Sequence, residues 1–471
     1  MNFGWRAVQT ADSPSALDRA WFPLLLGATI GVGAILLRNP AWVAAAALVC
    51  LLPLTWFAFS IQRGWLIPFF AAVILLPPLP FGQNSAGIHA SVLLAAVGLL
   101  AGLARAEDWR IRFTLLNASL VFFCGALTLS LGFALLYSGA EIAAGSAARV
   151  ILFAIAVYVY FGASQGPDRA APEQAFRTSR ILFGIAVLAA LFGCVDFVFQ
   201  LPAPAGFGAQ FLWLESGVYR RAQGLFYEAS TLGNFCAFFL VMSAVCMAQP
   251  RDKRVVPRWM AATGVVLFAG TLIVSYSRAS MLAAGMGCAT LALVERRNWA
   301  NRRAVLGLGV LVIVAITLFA ILLPEFATGY AQGFAANSSY LFTEPDRVFS
   351  GRLETWRTLS VFIADHPWQT LLGIGYKTLP NTTYLGKPLI ADNMYLSALI
   401  ETGILGLGAL LLLNAAILRA SWRAVRAGSF FGKWMFCFWV GEVFQMFSAD
   451  ILTYWRVLPI YLWVLAQVVE E

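Results

Sequence analysis

Four short stretches carry side chains suited to a reaction with a charged leaving group. In SGVYRRAQGLFYEASTLGNF (216–235), the adjacent Arg220 and Arg221 precede a glycine, an aromatic residue and Glu228. In SYSRASMLA (275–283), Arg278 separates two apolar runs that leave room for only a very short turn. In SGRLETWRTLSVFIADHPWQTLLGIGYKTLP (350–380), Arg352 stands ahead of an amphipathic stretch, and Tyr376 closes a glycine-rich turn. In ADNMYLSALIETGILGLGALLLL (391–413), Asp392 and Asn393 come just before an apolar run, and Glu401 lies about two helical turns further on.

A guanidinium suits phosphate because its planar fork donates two hydrogen bonds at once. A carboxylate at the start of an apolar run, Asp392 first and Glu228 second, can accept a proton from a sugar hydroxyl. Asn393, Glu401 and Tyr376 are candidates for positioning an acceptor. Plainer readings stand beside these. Arg220 and Arg221 could anchor a helix at lipid headgroups, Arg278 could snorkel to the same depth, and Arg352 could be solvated. Asp392 and Asn393 are common helix N-caps. The two histidines, His89 and His366, lie far apart, and no Asp-x-Asp pair occurs, so metal-free chemistry with no cofactor is expected.

The elements that hold these residues are set by composition. Of 471 residues, 60% are hydrophobic and 12% charged, about half the charged share of a soluble chain. Apolar runs of roughly twenty residues, enough to span a ~30 Å hydrocarbon core, separate the charges. That pattern excludes a secreted or cytosolic globular enzyme and a nucleic-acid binder. The fold expected is an all-α polytopic membrane protein. Its candidate spans lie near 20–37, 40–59, 65–81, 88–104, 113–138, 149–164, 180–201, 226–248, 257–275, 278–294, 304–323, 392–418, 430–448 and 451–469. About 12–14 of these are expected to be transmembrane. The seven cysteines all fall in apolar runs without a CxxC pair, as small buried hydrophobes would. The polar amino-terminal stretch has no cleavable signal pattern, so the first apolar run is expected to remain as a helix.

Scoring alternate loops for Lys and Arg supports one orientation, with both termini cytoplasmic and residues 324–391 outside. Twenty-one of the 32 basic residues then fall inside. The other eleven include Arg220, Arg221, Arg278, Arg352 and Lys377. Segment 324–391 is far longer than a helix connection needs, and loops of that length are usually functional. Leu353, Trp356, Leu359, Phe362 and Ile363 recur at helical spacing there, which predicts an amphipathic helix against the bundle that ends at Pro367. Four segments follow: 1–201 with amino-terminal helices, 202–323 with Arg-bearing outer loops, 324–391 as the large loop, and 392–471 with carboxy-terminal helices. Asp196, Glu442 and Arg456 are intramembrane charges with either an interhelical or a pathway role.

With SYSRAS, GRLETW, HPWQTLLGIGY, DNMYLSALIETGILGLG and RRAQGLFYEAS arranged around one large loop, the sequence resembles the O-antigen ligase/polymerase superfamily of bacterial inner-membrane glycan-transferring proteins. The resemblance covers roughly residues 215–415. It implies a fold similar to GT-C-type glycosyltransferases and glycan transfer on the periplasmic face of the inner membrane. The donor it implies is a saccharide on undecaprenyl pyrophosphate, used by inverting, metal-independent chemistry. The acceptor is a lipid-linked glycan or lipid A-core, and membrane lipids are the other partners. Arg220 or Arg221, Arg278 and Arg352 match the family's phosphate contacts. Ligases acting on lipid A-core carry His before the Asn of the re-entry motif, where this chain has Asp392. YEAS at 227–230 is similar to the Glu-Pro-Ser pattern of exopolysaccharide and O-antigen polymerases. Both features favour a polymerase, with a ligase as the alternative. A membrane transporter is the alternative of a different class, although no internal repeat is visible.

Overall fold

The structure, a computed structural model, describes residues 65–76, 89–166, 169, 171–201, 208–214, 216–296, 299–340, 343, 346 and 351–470. The candidate spans at 20–37 and 40–59, the tail of the 65–81 run, Arg6, Arg19, Arg38, Arg63, Arg297, Arg347 and Cys50 lie outside these residues.

The described chain is almost entirely helical. In order come α1 (Leu66–Leu75), α2 (Ala90–Ala104), α3 (Leu115–Gln165), α4 (Pro172–Phe199), β1 (Phe211–Leu214), β2 (Gly217–Arg220), α5 (Ala229–Ala248), α6 (Arg258–Ser275), α7 (Arg278–Val294), α8 (Trp299–Leu322), α9 (Pro324–Tyr340), α10 (Arg352–Asp365), α11 (Pro367–Leu372), α12 (Met394–Arg426), α13 (Phe430–Gln445) and α14 (Leu458–Glu470). Five of these, α3, α4, α5, α6 and α12, are long and apolar enough to cross a membrane, and the bent pair α8–α9 makes a sixth. The chain is a multi-pass α-helical membrane protein.

Three departures from the expected spans have local causes. The runs 113–138 and 149–164 are the two arms of α3, broken only at Gly139, whose φ of 84° a side chain would resist. No loop separates them. The run at 65–81 stops being helical at Leu75, because Leu76 precedes Pro77 and is extended (φ −84°, ψ 141°). The last run starts with a 3-10 turn, Ile451–Thr453, and becomes α-helical only at Leu458. Arg456 therefore lies before the helix, and its guanidinium donates to the carbonyls of Val73 (2.8 Å) and Leu76 (2.9 Å) at the end of α1. A cation there satisfies orphan carbonyls and opposes the helix dipole, which makes Arg456 a cap.

Helix α5 is the axis of the bundle, with almost all its side chains buried against α6, α7, α8 and α13. Lipid tails are as apolar as leucine, so such contacts hold by close packing and interhelical hydrogen bonds. Phe238 sits among Trp434, Phe438 and Tyr461 with ring centroids 4.3–4.7 Å apart, and the Trp434 indole donates to the Phe238 carbonyl at 2.9 Å. Helices α7 and α13 approach through glycine: a Cβ at Gly441 would strike the Ala283 carbonyl. Glu442 accepts from Asn234 Nδ2 at 2.7 Å, and Tyr461 donates to Asn234 Oδ1 at 2.6 Å, so this carboxylate is an interhelical partner on α13.

At Leu323 the chain turns by 115°, and α9 leaves the direction of α8. The amphipathic helix expected in the large loop is α10, which buries Leu359 and Phe362 against Ile374, Leu379, Leu389 and Ile400. Pro367 ends it and also opens α11, since a ring that cannot continue one helix fits the first turn of the next. The β1–β2 hairpin (Phe211↔Arg220, Leu214↔Gly217) is a short antiparallel pair within the outer loop expected between 201 and 226.

Candidate functional site

The hairpin leads directly into the two arginines, which are held in different ways. Arg220 is turned inward, and its guanidinium pairs with Asp196 near the end of α4. The other Asp196 oxygen accepts the backbone N–H groups of Gln223 (3.0 Å) and Gly224 (2.9 Å). Removing one member of a buried pair like this costs roughly 3–5 kcal/mol, because the survivor is left uncompensated. Arg220 and Asp196 thus fasten the segment after β2 to α4. Arg221 instead points along the segment toward the end of α6, where Nε donates to the Ser275 carbonyl (2.8 Å) and a terminal nitrogen to that of Tyr276 (3.3 Å).

Tyr276 sits in the short turn between α6 and α7 with a left-handed φ of 50°. Arg278 is the first residue of α7; it is exposed, with its guanidinium 5.9 Å from the Tyr276 ring centre. Burial, and to a lesser degree the nearby Arg278 charge, pushes the Arg221 pKa down, while Tyr454 and Glu228 act in the opposite sense. Arg221 and Arg278 thus meet at Tyr276, one on its carbonyl and the other near its ring. Glu228 stands at the N-cap of α5 and accepts from Thr231 Oγ1 at 2.6 Å. Burial pushes the carboxyl up from its ordinary value, and Thr231, Arg221 and Lys377 hold it back.

The second group comes from the large loop. Arg352 opens α10 after Gly351 (φ 77°), and its Nε lies 3.2 Å from Asp392 Oδ2. The Trp356 indole, one turn along, donates to the Ala391 carbonyl at 2.7 Å and holds the helix over the re-entry point. Asp392 has a left-handed backbone (φ 45°), uncommon for a residue with a side chain and held here by its neighbours. Its carboxylate is nearly half exposed. Asn393 is the N-cap of α12, accepting from Leu396 N at 3.0 Å. The plain capping role therefore belongs to Asn393, and Asp392 remains available to pair with Arg352.

Glu401, Tyr376 and the glycine-rich turn meet at a break in α12. Gly403 (φ 71°) interrupts the helix, and the carbonyls of Ile400 and Glu401 accept instead from Ile374 N (3.0 Å) and Gly375 N (2.8 Å). Glu401 Oε1 is buried and accepts from Leu379 N at 3.2 Å. Tyr376 is buried as well, with its backbone bonded to both arms of α3 through Ser130 and Ser146. The residue after it, Lys377, forms a buried ion pair with Asp450 from the α13–α14 connection. Lys377 is the basic residue that acts on both Glu228 and Glu401. Lys377 and Asp450 were not among the candidate residues. The available signal was a lysine directly after GIGY and a lone aspartate between two apolar runs.

The structure thus places Arg221 and Arg278 at Tyr276 with Glu228 at the start of α5, and Arg352 with Asp392 in a second group, while the Lys377–Asp450 pair joins the large loop to the α13–α14 connection. All lie at one end of the bundle, where α3 reverses direction and the α6–α7 turn, the large loop and the α13–α14 connection meet. His89 is elsewhere in role: its Nε2 contacts the Leu76 carbonyl at 2.9 Å, and burial together with Arg456 lowers its pKa to about 4, so the ring is neutral.

Residues 263–413, just under a third of the chain, match a family model described as O-antigen ligase. The match runs from α6 through Arg278, the large loop and Asp392 into α12. It bears out the resemblance to the O-antigen ligase/polymerase superfamily carried by SYSRAS, GRLETW, HPWQTLLGIGY and DNMYLSALIETGILGLG, while RRAQGLFYEAS lies before the matched residues. No match was found among curated proteins.

Proposed function

We propose that the protein is a glycosyltransferase that polymerises oligosaccharide repeats carried on undecaprenyl pyrophosphate, with its site at the end of the bundle holding Arg221, Arg278, Arg352 and Asp392. What supports this reading is that Arg221 donates to the Tyr276 carbonyl and Arg278 lies 5.9 Å from the ring of the same residue, while Arg352 pairs with Asp392. The acceptor hydroxyl oxygen attacks the anomeric carbon of the donor, and the bond from that carbon to the phosphate oxygen breaks with inversion. The lipid pyrophosphate leaves with the electron pair, and the hydroxyl proton passes to a carboxylate.

Arg221 and Arg278 stabilise the charge that grows on the pyrophosphate, and donors held in place before the reaction do so without reorganising. Arg352 orients Asp392, which accepts the proton; Glu228 is the second carboxylate within the site. Arg220, committed to Asp196, holds the segment that presents Arg221. Helix α10, whose apolar side already faces the bundle, covers the approach to Asp392. In the bacterial inner membrane this end faces the periplasm.

The test is elongation of an undecaprenyl-pyrophosphate-linked oligosaccharide by purified protein without divalent metal. Arg278→Ala should lower the rate by 10²–10³, the range for losing one preorganised charge-stabilising donor. Normal elongation by correctly folded Arg278→Ala protein would sink the proposal. The description of the matched family favours a second reading, a ligase. A ligase would transfer the same glycan to lipid A-core or another acceptor, so supplying the lipid-linked repeat as the sole acceptor separates the two.

A further inference from the structure

At the end of the bundle opposite the site, the start of α3, the last turns of α12 and the tail of α14 line a half-open groove of about 400 Å³. Its walls include Leu116, Ala416, Ala420 and Val468, and Arg419 and Arg423 lie on its rim. These arginines are four residues apart on one helix, so their Cβ atoms are about 5–6 Å apart and both guanidinium groups can reach one anion. Both are exposed, and among the described side chains no carboxylate lies within ion-pairing distance of either. None of these residues takes part in the glycan chemistry proposed for the other end.

The position of the groove along α12 narrows its ligand. Trp422, between the two arginines, is 43% exposed and packs its ring 5.0 Å from Phe436. Exposed tryptophans of membrane helices gather at headgroup depth. Leu411 and Leu412, two to three turns further into the bilayer, are exposed apolar side chains on the same helix. A groove with cations at its rim and alanine and valine inside, on a helix that also exposes Leu411 and Leu412, fits a molecule with a phosphate at one end and a hydrocarbon chain at the other. A soluble anion would gain nothing from the apolar wall.

We propose that this groove is a binding site for an anionic phospholipid, whose phosphodiester is held by Arg419 and Arg423 and whose first chain carbons lie against Ala416 and Ala420. Purified full-length protein in neutral detergent is titrated with phosphatidylglycerol, phosphatidylcholine or inorganic phosphate, and bound lipid is counted by native mass spectrometry. Phosphatidylglycerol should bind at least ten-fold more tightly than phosphatidylcholine. Arg419→Gln and Arg423→Gln should each weaken that binding about five-fold, and the double variant about thirty-fold. Ala420→Leu keeps both charges but fills the groove, and it should also weaken binding, which keeps the test decisive if the double variant fails to fold. Equal affinity for the two lipids, an unchanged Ala420→Leu variant, or inorganic phosphate binding as tightly as phosphatidylglycerol would overturn the proposal.

Discussion

In the proposed glycosyl transfer a proton leaves the acceptor hydroxyl, and Asp392 and Glu228 are the two carboxyl groups proposed to take it. Asp392 is half exposed and paired with Arg352, whereas Glu228 is half-buried, with its pKa pushed up. A general base works only when ionised, so activity falls as pH drops through its pKa. We expect Asp392→Asn to lower kcat by 10²–10⁴ and to flatten the acid limb of the pH–rate profile, while Glu228→Gln retains that limb. If Glu228 is the base, its raised pKa places the acid limb above the ordinary glutamate range, and Glu228→Gln removes it. Comparing the two profiles therefore assigns the proton to one carboxyl. The same local geometry explains why adjacent arginines differ. Arg220 ends a strand facing the Asp196 carboxylate, and Arg221, one residue on, faces the carbonyl end of α6. From sequence alone the pair could be named but not divided, because nothing in RRAQG shows which guanidinium meets a carboxylate across the bundle.

At the scale of elements, the large loop is held by breaks in helices as much as by helices. The left-handed residue Gly403 leaves two α12 carbonyls free, and the 373–375 turn takes both. Glycine is required on each side of this junction. A Cβ at Gly403 would collide with the Leu371 carbonyl, and one at Gly375 with Ala134 on α3. The Gly403 backbone (φ 71°, ψ −173°) is one that glycine alone adopts readily and costs a side chain about 1–3 kcal/mol, before any collision. Gly403→Ala should therefore lower the melting temperature of the purified protein by several degrees and the elongation rate with it, since the Lys377–Asp450 pair and Glu401 hang from this junction. An unchanged melting curve would mean that the turn does not depend on the break. The glycines of LLGIGY and TGILGLG were visible as turn and small-residue signals, and the amphipathic stripe of α10 was legible from its spacing. Their mutual docking was not, because it depends on the φ of Gly403 and on Ala134, roughly 240 residues away from Gly375 in sequence.

For the whole molecule, the charges sort by the end of the bundle they occupy, and the proposed chemistry depends on which end faces which compartment. Composition and run length fixed the fold class, because few other structures satisfy backbone hydrogen bonds inside lipid. Loop charges supplied an orientation that is a statistical tendency of insertion. The end opposite the site carries Arg254, Arg258, Arg296, Arg419, Arg423 and the Lys433–Glu295 pair at 2.5 Å. At the site end Arg220, Arg352 and Lys377 pair with carboxylates, Arg221 with carbonyls, and Arg278 lies near an aromatic ring. If the basic end is cytoplasmic, Lys387→Cys, exposed on the large loop, should react with a membrane-impermeant maleimide in intact spheroplasts. Arg258→Cys, exposed at the start of α6, should react only after permeabilisation. The native cysteines among the described residues are buried or partly buried, so they contribute a small background that the unsubstituted protein measures. The opposite labelling pattern would put Arg221, Arg278 and Asp392 on the cytoplasmic side. A donor presented at the periplasmic face could not reach them there, and the polymerase and ligase readings would fail together.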